Sequence, residues 1–159
     1  MSFHAADMPL ADALESLIGG EPDALANLSN AAALLFQSLE RINWAGFYLH
    51  KDGQLILGPF QGKPACIRIQ LGKGVCGTAA ASRQTLVVPD VHQFPGHIAC
   101  DGASASEIVV PLMHGGHLVG VLDIDSPEKN RFGSKEQLEL EVFSHILCDQ
   151  IDWGALISQ

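Results

Sequence analysis

The first quarter of the chain carries apolar residues at helical spacing. They recur every three or four positions between Leu10 and Ile18, and again between Leu25 and Leu39. Gly19 and Gly20 separate the two stripes, and paired glycines stop a helix. The pattern predicts a pair of helices within residues 1–41.

From Asn43 onward the period changes to two, which is typical of strands. Trp44, Gly46 and Tyr48 fall on one face of the first strand, and Asp52-Gly53 is a hairpin signal. Five further strands are predicted: Gln54–Leu57, a short one through Cys66, Ile67 and Ile69, then Thr85–Val88, Glu107–Met113 and His117–Asp125. The last two form a hairpin around Gly115-Gly116.

The last segment returns to helical spacing. A helix is predicted from Ser134, capped by Gln137, and expected to run over residues 134–156. Because the strand neighbours are joined by tight turns, we expect one α+β domain over residues 1–159. Its six-stranded antiparallel sheet, within residues 43–125, would carry the terminal helices on one face and the long loops on the other.

Composition and charge narrow the possible partners. The chain of 159 residues is 47% hydrophobic and has a formal net charge of -9, which argues against nucleic acid and anionic membranes. Residues 1–20 do not resemble a signal peptide, and no apolar run has the length of a membrane span. We therefore expect a cytoplasmic protein whose cysteines are reactive, metal-binding or buried rather than structural disulfides.

A long polar loop, Pro89–Glu107, contains Cys100 near its middle. Loops of this length in a compact domain are usually functional or disordered, and Phe94 gives this one an apolar side chain to pack. His97 lies close enough in sequence to stabilise a thiolate, which favours a reactive cysteine. The alternative, a cysteine that only packs, is about equally consistent with these residues.

The other three cysteines differ in setting. Cys66 is expected on a strand, Cys76 at the start of a helix after a glycine turn, and Cys148 on the apolar face of the last helix as a core residue. Their spacings match no zinc pattern, so we expect no metal. If Cys66 or Cys76 reaches Cys100, the pair can cycle through a sulfenic acid and a disulfide.

Residues 72–77, GKGVCG, formally match the dinucleotide motif G-x-G-x-x-G. The required βαβ context is missing, so the match is weak. The turn is better interpreted as a helix start whose backbone N–H groups can bind an anion.

Carboxylates mark the ends of the central strands. Asp123 and Asp125 alternate with apolar residues and are expected on one face beside Val119 and Val121, with Glu107 opening the partner strand. They are either solvent-facing strand ends or an acidic cavity, whose crowding would raise at least one pKa.

Two aromatic residues share a face of the first strand. Trp44 and Tyr48 are either core or dimer-interface aromatics, or an aromatic wall that suits a methyl group or a cation.

Several motifs, taken in order, resemble those of the free methionine-(R)-sulfoxide reductases, single GAF domain enzymes. The motifs are NWAGFYL, GKGVCG, VPDVHQFPGHIACD, SASEIVVPL and GVLDIDSP, and they cover most of the chain from about Asn43. The resemblance implies a GAF-like domain that reduces free methionine (R)-sulfoxide.

The resemblance also implies roles for the cysteines. Cys100 is the nucleophile that becomes a sulfenic acid. Cys66 resolves it as a disulfide that a thioredoxin-type reductant reopens, and Cys76 is auxiliary.

The remaining implied roles concern the substrate. Glu107, Asp123 and Asp125 contact the oxide and the ammonium group, and the resemblance leaves open which of the three is the acid. Trp44 and Tyr48 enclose the methyl group, and backbone N–H groups of the Cys100 loop, including Ile98 and Ala99, hold the carboxylate.

No cofactor is implied, and a homodimer is plausible because the terminal helices are apolar. The alternative is a non-catalytic GAF-type sensor of a small ligand or of redox state.

Overall fold

The computed structural model describes residues 8–97 and 102–157. Its helices are α1 Leu10–Ile18, α2 Ala24–Ser38, α3 Gly74–Ser82, α4 Ser134–Gln150 and α5 Gly154–Ile157. Its strands are β1 Trp44–Lys51, β2 Gln54–Gly62, β3 Arg68–Gln70, β4 Leu86–Val88, β5 Ser106–His114 and β6 His117–Ser126.

One antiparallel sheet in the order β3-β2-β1-β6-β5-β4 forms the centre of the molecule. On one face, α2 packs on β1 and β2, α4 packs on β5, and α1 packs on both helices. The other face carries α3 and the long loops. The predicted α+β architecture, with terminal helices and loops on opposite faces, is confirmed.

The two faces have separate cores. We call the first the helix-side core; its fully buried residues include Leu14, Leu28, Phe47, Leu122 and Phe143. Fully burying one such side chain contributes about 1.5–3 kcal/mol relative to exposure. The second, the site-side core, is smaller and surrounds Trp44 and Tyr48. Alternate residues of β1, β5 and β6 enter one core or the other, as period-two strands require.

The two predicted hairpin turns are confirmed. Asp52 and Gly53 have φ values of 51° and 77° between β1 and β2, and Gly115 and Gly116 have 58° and 79° between β5 and β6. Two consecutive positive φ angles are typical of the turn that matches strand twist. These turns fix the pairing of the four central strands.

The register of the second hairpin corrects one expectation. A shift between Leu112 and Met113 places Leu118 opposite Met113 and Gly120 opposite Leu112. The unpaired Val119 therefore packs in the helix-side core, and not beside the carboxylates as predicted. Val121 is in the site-side core, as expected.

The ends of the last helix also differ from the prediction. Gly133 is the N-cap residue, and its N–H donates to Glu136 Oε2 at 2.9 Å. The side chain that caps the start of the helix is therefore that of Glu136 and not that of Gln137. α4 ends at Gln150 and a separate α5 follows. The chain turns there because buried Trp153 folds back and donates from Nε1 to Cys148 O at 3.0 Å.

The described parts of the Pro89–Glu107 loop are tied down at both ends. Asn130 N donates to Pro89 O, and Val91 N donates to Ala105 O, each at 2.9 Å. A 3-10 turn at Val91–Gln93 follows the first contact. These bonds fold the loop back beside β5. Among the described residues, no helix has the length and apolarity to cross a membrane.

Candidate active site

The antiparallel register brings the predicted carboxylates together. Asp125 of β6 lies between its two cross-strand partners, Trp44 of β1 and Glu107 of β5. Two residues back along β6, Asp123 lies opposite Gly46 of β1. Directly opposed residues on one face of a sheet have Cβ atoms about 5 Å apart. The carboxylates therefore converge on the site-side face next to the aromatic residues.

These residues line one cavity under α3 and the loop. Seven of the site residues predicted from the sequence are described, and all but Cys66 line this cavity: Trp44, Tyr48, Cys76, Glu107, Asp123 and Asp125. Its remaining walls are Pro64, Ala65, Ile69, Lys73, Gly74, Val75, His97 and Ser104. Ile98, Ala99 and Cys100 lie outside the described residues. The cavity therefore brings together side chains from four separate segments of the chain.

The aromatic residues form a rigid wall. Trp44 stacks on Phe60 at 5.1 Å between ring centroids and lies 6.0 Å from Tyr48. Trp44 Nε1 donates to Lys63 O at 3.1 Å, and Tyr48 Oη donates to Cys66 O at 2.9 Å. Their polar atoms thus hold the loop before β3. Both rings are buried, which excludes an exposed dimer interface at this place.

Two of the carboxylates are buried. Glu107 and Asp123 are each 6% exposed, so they are not solvent-facing strand ends. Burial, with the nearby charges of Asp123 and Asp125, raises the pKa of Glu107 well above its ordinary value. Burial also raises the pKa of Asp123. Crowded carboxyl groups titrate together, and this arrangement favours a proton on Glu107.

Cys76 lies in the first turn of α3 and points at the acids. Its Sγ is 4.0 Å from Glu107 Oε2. Burial and the charges of Asp123 and Glu107 raise the pKa of this thiol well above its ordinary value. A thiol held in the protonated form is a poor nucleophile. Cys76 therefore has the position of a site residue but lacks the electrostatics of an attacking thiolate.

The other two described cysteines have different environments. Cys66 is disulfide-bonded. It lies in the loop before β3 and not on a strand as predicted, because its carbonyl bonds the Tyr48 hydroxyl in place of a strand neighbour. Cys148 is a free thiol in the helix-side core, as expected, and burial raises its pKa to about 12.

The glycine motif has a packing explanation. Gly72 and Gly74 have positive φ values of 84° and 64°, and a side chain at Gly77 would collide with Gln70 O. Gly72 N donates to Gly77 O at 2.7 Å. The adjoining strands β3 and β4 lie at opposite edges of an antiparallel sheet. The dinucleotide interpretation is therefore excluded by topology.

Some site residues carried no periodic signal. The sequence marks His97 only by its closeness to Cys100, yet its Nε2 lies 3.9 Å from Glu107 Oε1. Burial and His92 lower the pKa of His97, which keeps the ring neutral near pH 7. Ser104 accepts a hydrogen bond from Asn43 Nδ2 at 3.3 Å. Loop residues such as these reach the site through the tertiary fold alone.

Comparison with known proteins agrees with the fold. The profile of the GAF domain matches residues 23–151. The Escherichia coli (strain K12) protein named free methionine-R-sulfoxide reductase is 56% identical over 122 residues, covering 77% of this chain and 74% of that protein.

Two solved structures are similar over nearly the whole chain. The fRMsr of Staphylococcus aureus in complex with substrate is 49% identical with a TM-score of 0.87, covering 95% of this chain and 99% of that one. The Neisseria meningitidis free methionine-R-sulfoxide reductase in complex with its substrate is 41% identical with a TM-score of 0.89, covering 98% and 96%. The chain belongs to the GAF domain family and, within it, to the family of the free methionine-R-sulfoxide reductases.

Proposed function

We propose that this protein reduces free methionine (R)-sulfoxide to methionine by a thiol cycle. The observation that carries the proposal is the buried carboxylate cluster beside the Trp44–Tyr48 wall, in a chain 56% identical to the E. coli reductase. Such a cavity pairs acids with an apolar surface. Methionine sulfoxide has a matching arrangement: an ammonium group, a basic oxygen and a methyl group.

The reaction begins at Cys100. Its thiolate attacks the sulfoxide sulfur while a carboxylic acid donates a proton to the oxygen. The sulfur–oxygen bond breaks and methionine leaves, so the sulfoxide is reduced. Before methionine leaves, the hydroxyl passes from the substrate sulfur to the Cys100 sulfur as the transient sulfur–sulfur bond between them breaks, which leaves Cys100 as a sulfenic acid, the oxidised form of the thiol.

Glu107 is the proposed proton donor. Its raised pKa keeps the proton on the carboxyl group near neutral pH, where an unburied glutamate would be ionised. Asp123 and Asp125 then remain to bind the ammonium group of the substrate, and the Trp44 and Tyr48 rings enclose its methyl group. The backbone N–H groups of Ile98 and Ala99 would hold the carboxylate. Cys76 is auxiliary.

Cys66 closes the cycle. Its thiol attacks the sulfenic acid, a Cys66–Cys100 disulfide forms and water leaves. An external dithiol of the thioredoxin type then reduces this disulfide and is itself oxidised. Cys66 is disulfide-bonded, whereas Cys76 and Cys148 are free thiols, which supports Cys66 as the resolving residue. A cytoplasmic location fits a cycle that depends on a reducing compartment.

The acidic cavity also supports a specificity for free methionine sulfoxide over methionine sulfoxide within a peptide. A methionine sulfoxide within a peptide has no free ammonium group, so Asp123 and Asp125 would lose their partner. The enzyme should therefore act on the free amino acid. N-acetyl methionine sulfoxide is the matched comparison, because it differs at that group alone.

A homodimer through α4 is the proposed assembly. Leu138 and Val142 lie one turn apart on its outer face and are 65% and 44% exposed. Leu138→Asp should then reduce the solution mass to that of a monomer. A monomeric mass for the unchanged chain would contradict the proposal.

The test of function uses racemic free methionine sulfoxide and a dithiol. Each epimer is followed by chiral chromatography, and we expect consumption of the R epimer alone. If neither epimer is consumed, the reductase proposal is wrong. Binding of the R epimer without turnover would support a ligand sensor instead.

A further inference from the structure

A group of three donor atoms lies inside the cavity. Cys76, Glu107 and Asp123 each offer one atom, and these atoms all lie within 4.8 Å of one another. We infer that this corner is a binding site for a divalent cation of the Zn²⁺ class, and that the bound cation excludes the sulfoxide substrate. Cation binding stands on geometry, whereas exclusion of substrate rests on the proposed function.

The spacing is close to what tetrahedral coordination needs. Zinc bonds of about 2.3 Å to sulfur and 2.0 Å to oxygen imply an S···O separation of about 3.5 Å. Cys76 Sγ and Glu107 Oε2 are 4.0 Å apart. The three donors project from α3, β5 and β6, which are held by the sheet and its packing. The pair of Cys76 Sγ and Glu107 Oε2 needs to close by about half an ångström, and the remaining pairs, all within 4.8 Å, by at most about 1.5 Å, which side-chain rotation can supply.

Asp123 gives an independent indication of a ligand. Its Oδ1 is buried and has no hydrogen-bond partner among the described residues. The residue is 6% exposed and lines the cavity. An unpaired buried polar atom costs about 1–3 kcal/mol, and more if charged. A bound cation would satisfy this oxygen directly.

The donor types select the class of ion. One sulfur and two carboxylates suit Zn²⁺ or Co²⁺, whereas Mg²⁺ and Ca²⁺ prefer oxygen alone. His97 lies at the edge of this group, with its Nε2 3.9 Å from Glu107 Oε1. Lys73 at the cavity wall opposes a cation, but it is exposed and its charge is screened by solvent.

The cation and the substrate would use the same carboxylates. Glu107 and Asp123 are the groups proposed to contact the oxide and the ammonium group, and they cannot serve both ligands. The cation uses Cys76 and leaves the Cys66 disulfide intact. The site is therefore expected in the oxidised chain as well, where binding can be measured without turnover.

The binding experiment titrates Co²⁺ into the oxidised full-length chain. We expect one equivalent to give a thiolate-to-cobalt charge-transfer band in the near ultraviolet. Cys76→Ser should abolish the band, Asp123→Asn should weaken Co²⁺ binding at least ~10-fold, and Cys148→Ser should leave both unchanged. Absence of the band in the unchanged chain, or its persistence in Cys76→Ser, would overturn the metal site.

A second measurement tests the competition. Added Zn²⁺ should raise the KM for free methionine (R)-sulfoxide, leave kcat unchanged, and be reversed by a chelator. A normal cobalt band without any change in KM would overturn substrate exclusion while leaving the metal site in place. A chain with the cobalt band but no reductase activity would contradict the proposed function alone.

Discussion

The two faces of the central sheet use the same strands for opposite purposes. On β5, Ile108 and Val110 enter the helix-side core, whereas Glu107, the residue before Ile108, lines the cavity. On β6, Leu122 and Ile124 alternate in the same way with Asp123 and Asp125. One face is apolar and closed by helices. The other contains buried acids, which cost stability.

Along each strand, the residues that face the helix-side core are therefore expected to contribute to stability, and those that face the cavity to function. The helix-side core contributes favourable burial that can support the unfavourable burial of Glu107 and Asp123 on the other face. Substitutions on the two faces should therefore change different quantities. Neighbouring residues on one strand provide matched pairs for testing this.

The largest effect on turnover is expected from replacing the proposed nucleophile, Cys100. Cys100→Ser should reduce turnover of free methionine (R)-sulfoxide to background, because a serine hydroxyl cannot replace the thiolate. Cys148→Ser, on the helix-side face, should keep turnover. The measurement is steady-state methionine release with a dithiol. Normal activity in Cys100→Ser would refute the mechanism.

The adjacent residues Glu107 and Ile108 give the sharpest comparison of faces. Glu107→Gln should lower kcat about 10²- to 10⁴-fold by removing the proposed proton donor. Ile108→Val should leave kcat intact and cost about 0.5–1.5 kcal/mol of unfolding free energy. Kinetics and urea unfolding on both variants measure these effects. Equal losses of kcat would show that the faces are not separate.

The pH dependence of the unfolding free energy tests the raised pKa of Glu107. The pKa of Glu107 is raised above its ordinary value of 4.5 in the folded state, so the folded chain binds this proton more tightly. The resulting stabilisation is complete below about pH 4.5 and is lost as pH rises through the folded-state pKa. Relative to Glu107→Gln, the unchanged chain should therefore lose stability on raising the pH. The free energy of unfolding of both proteins is measured with urea at several pH values. If it changes with pH in parallel in the unchanged chain and in Glu107→Gln, the pKa of Glu107 is not raised.

The smallest effect is expected at the aromatic wall. Tyr48→Phe keeps the ring but removes the hydrogen bond to Cys66 O, a loss of about 0.5–1.5 kcal/mol. KM should change little, whereas recycling of the Cys66 disulfide should slow a few-fold. Stopped-flow reduction of the oxidised chain measures that step. A large rise in KM would instead make the hydroxyl a substrate contact.

The sequence predicted those parts of the site that follow from strand periodicity. Alternation placed Trp44 and Tyr48 on one face, and Asp123 and Asp125 on one face. The meeting of Asp125 with Glu107 depends on the turn at Gly115-Gly116, which the sequence also marks.

Other features depend on tertiary contacts and could not be predicted. The register shift that moved Val119 arises within the β5–β6 pair. The position of Cys66 is set by the Tyr48 hydroxyl, 18 residues away in the chain. The break after α4 depends on how Trp153 is buried. His97 lies near Glu107 in a loop that the hydrogen bond from Val91 N to Ala105 O folds back beside β5.

The most direct test of the account is a single turnover in Cys66→Ser. Without the resolving thiol, each chain should release one methionine from free methionine (R)-sulfoxide and retain a sulfenic acid on Cys100 that dimedone traps. The S epimer and the N-acetylated R epimer should release none. Release of no methionine, or equal release from a Cys100→Ser/Cys66→Ser double variant, would contradict the central claim.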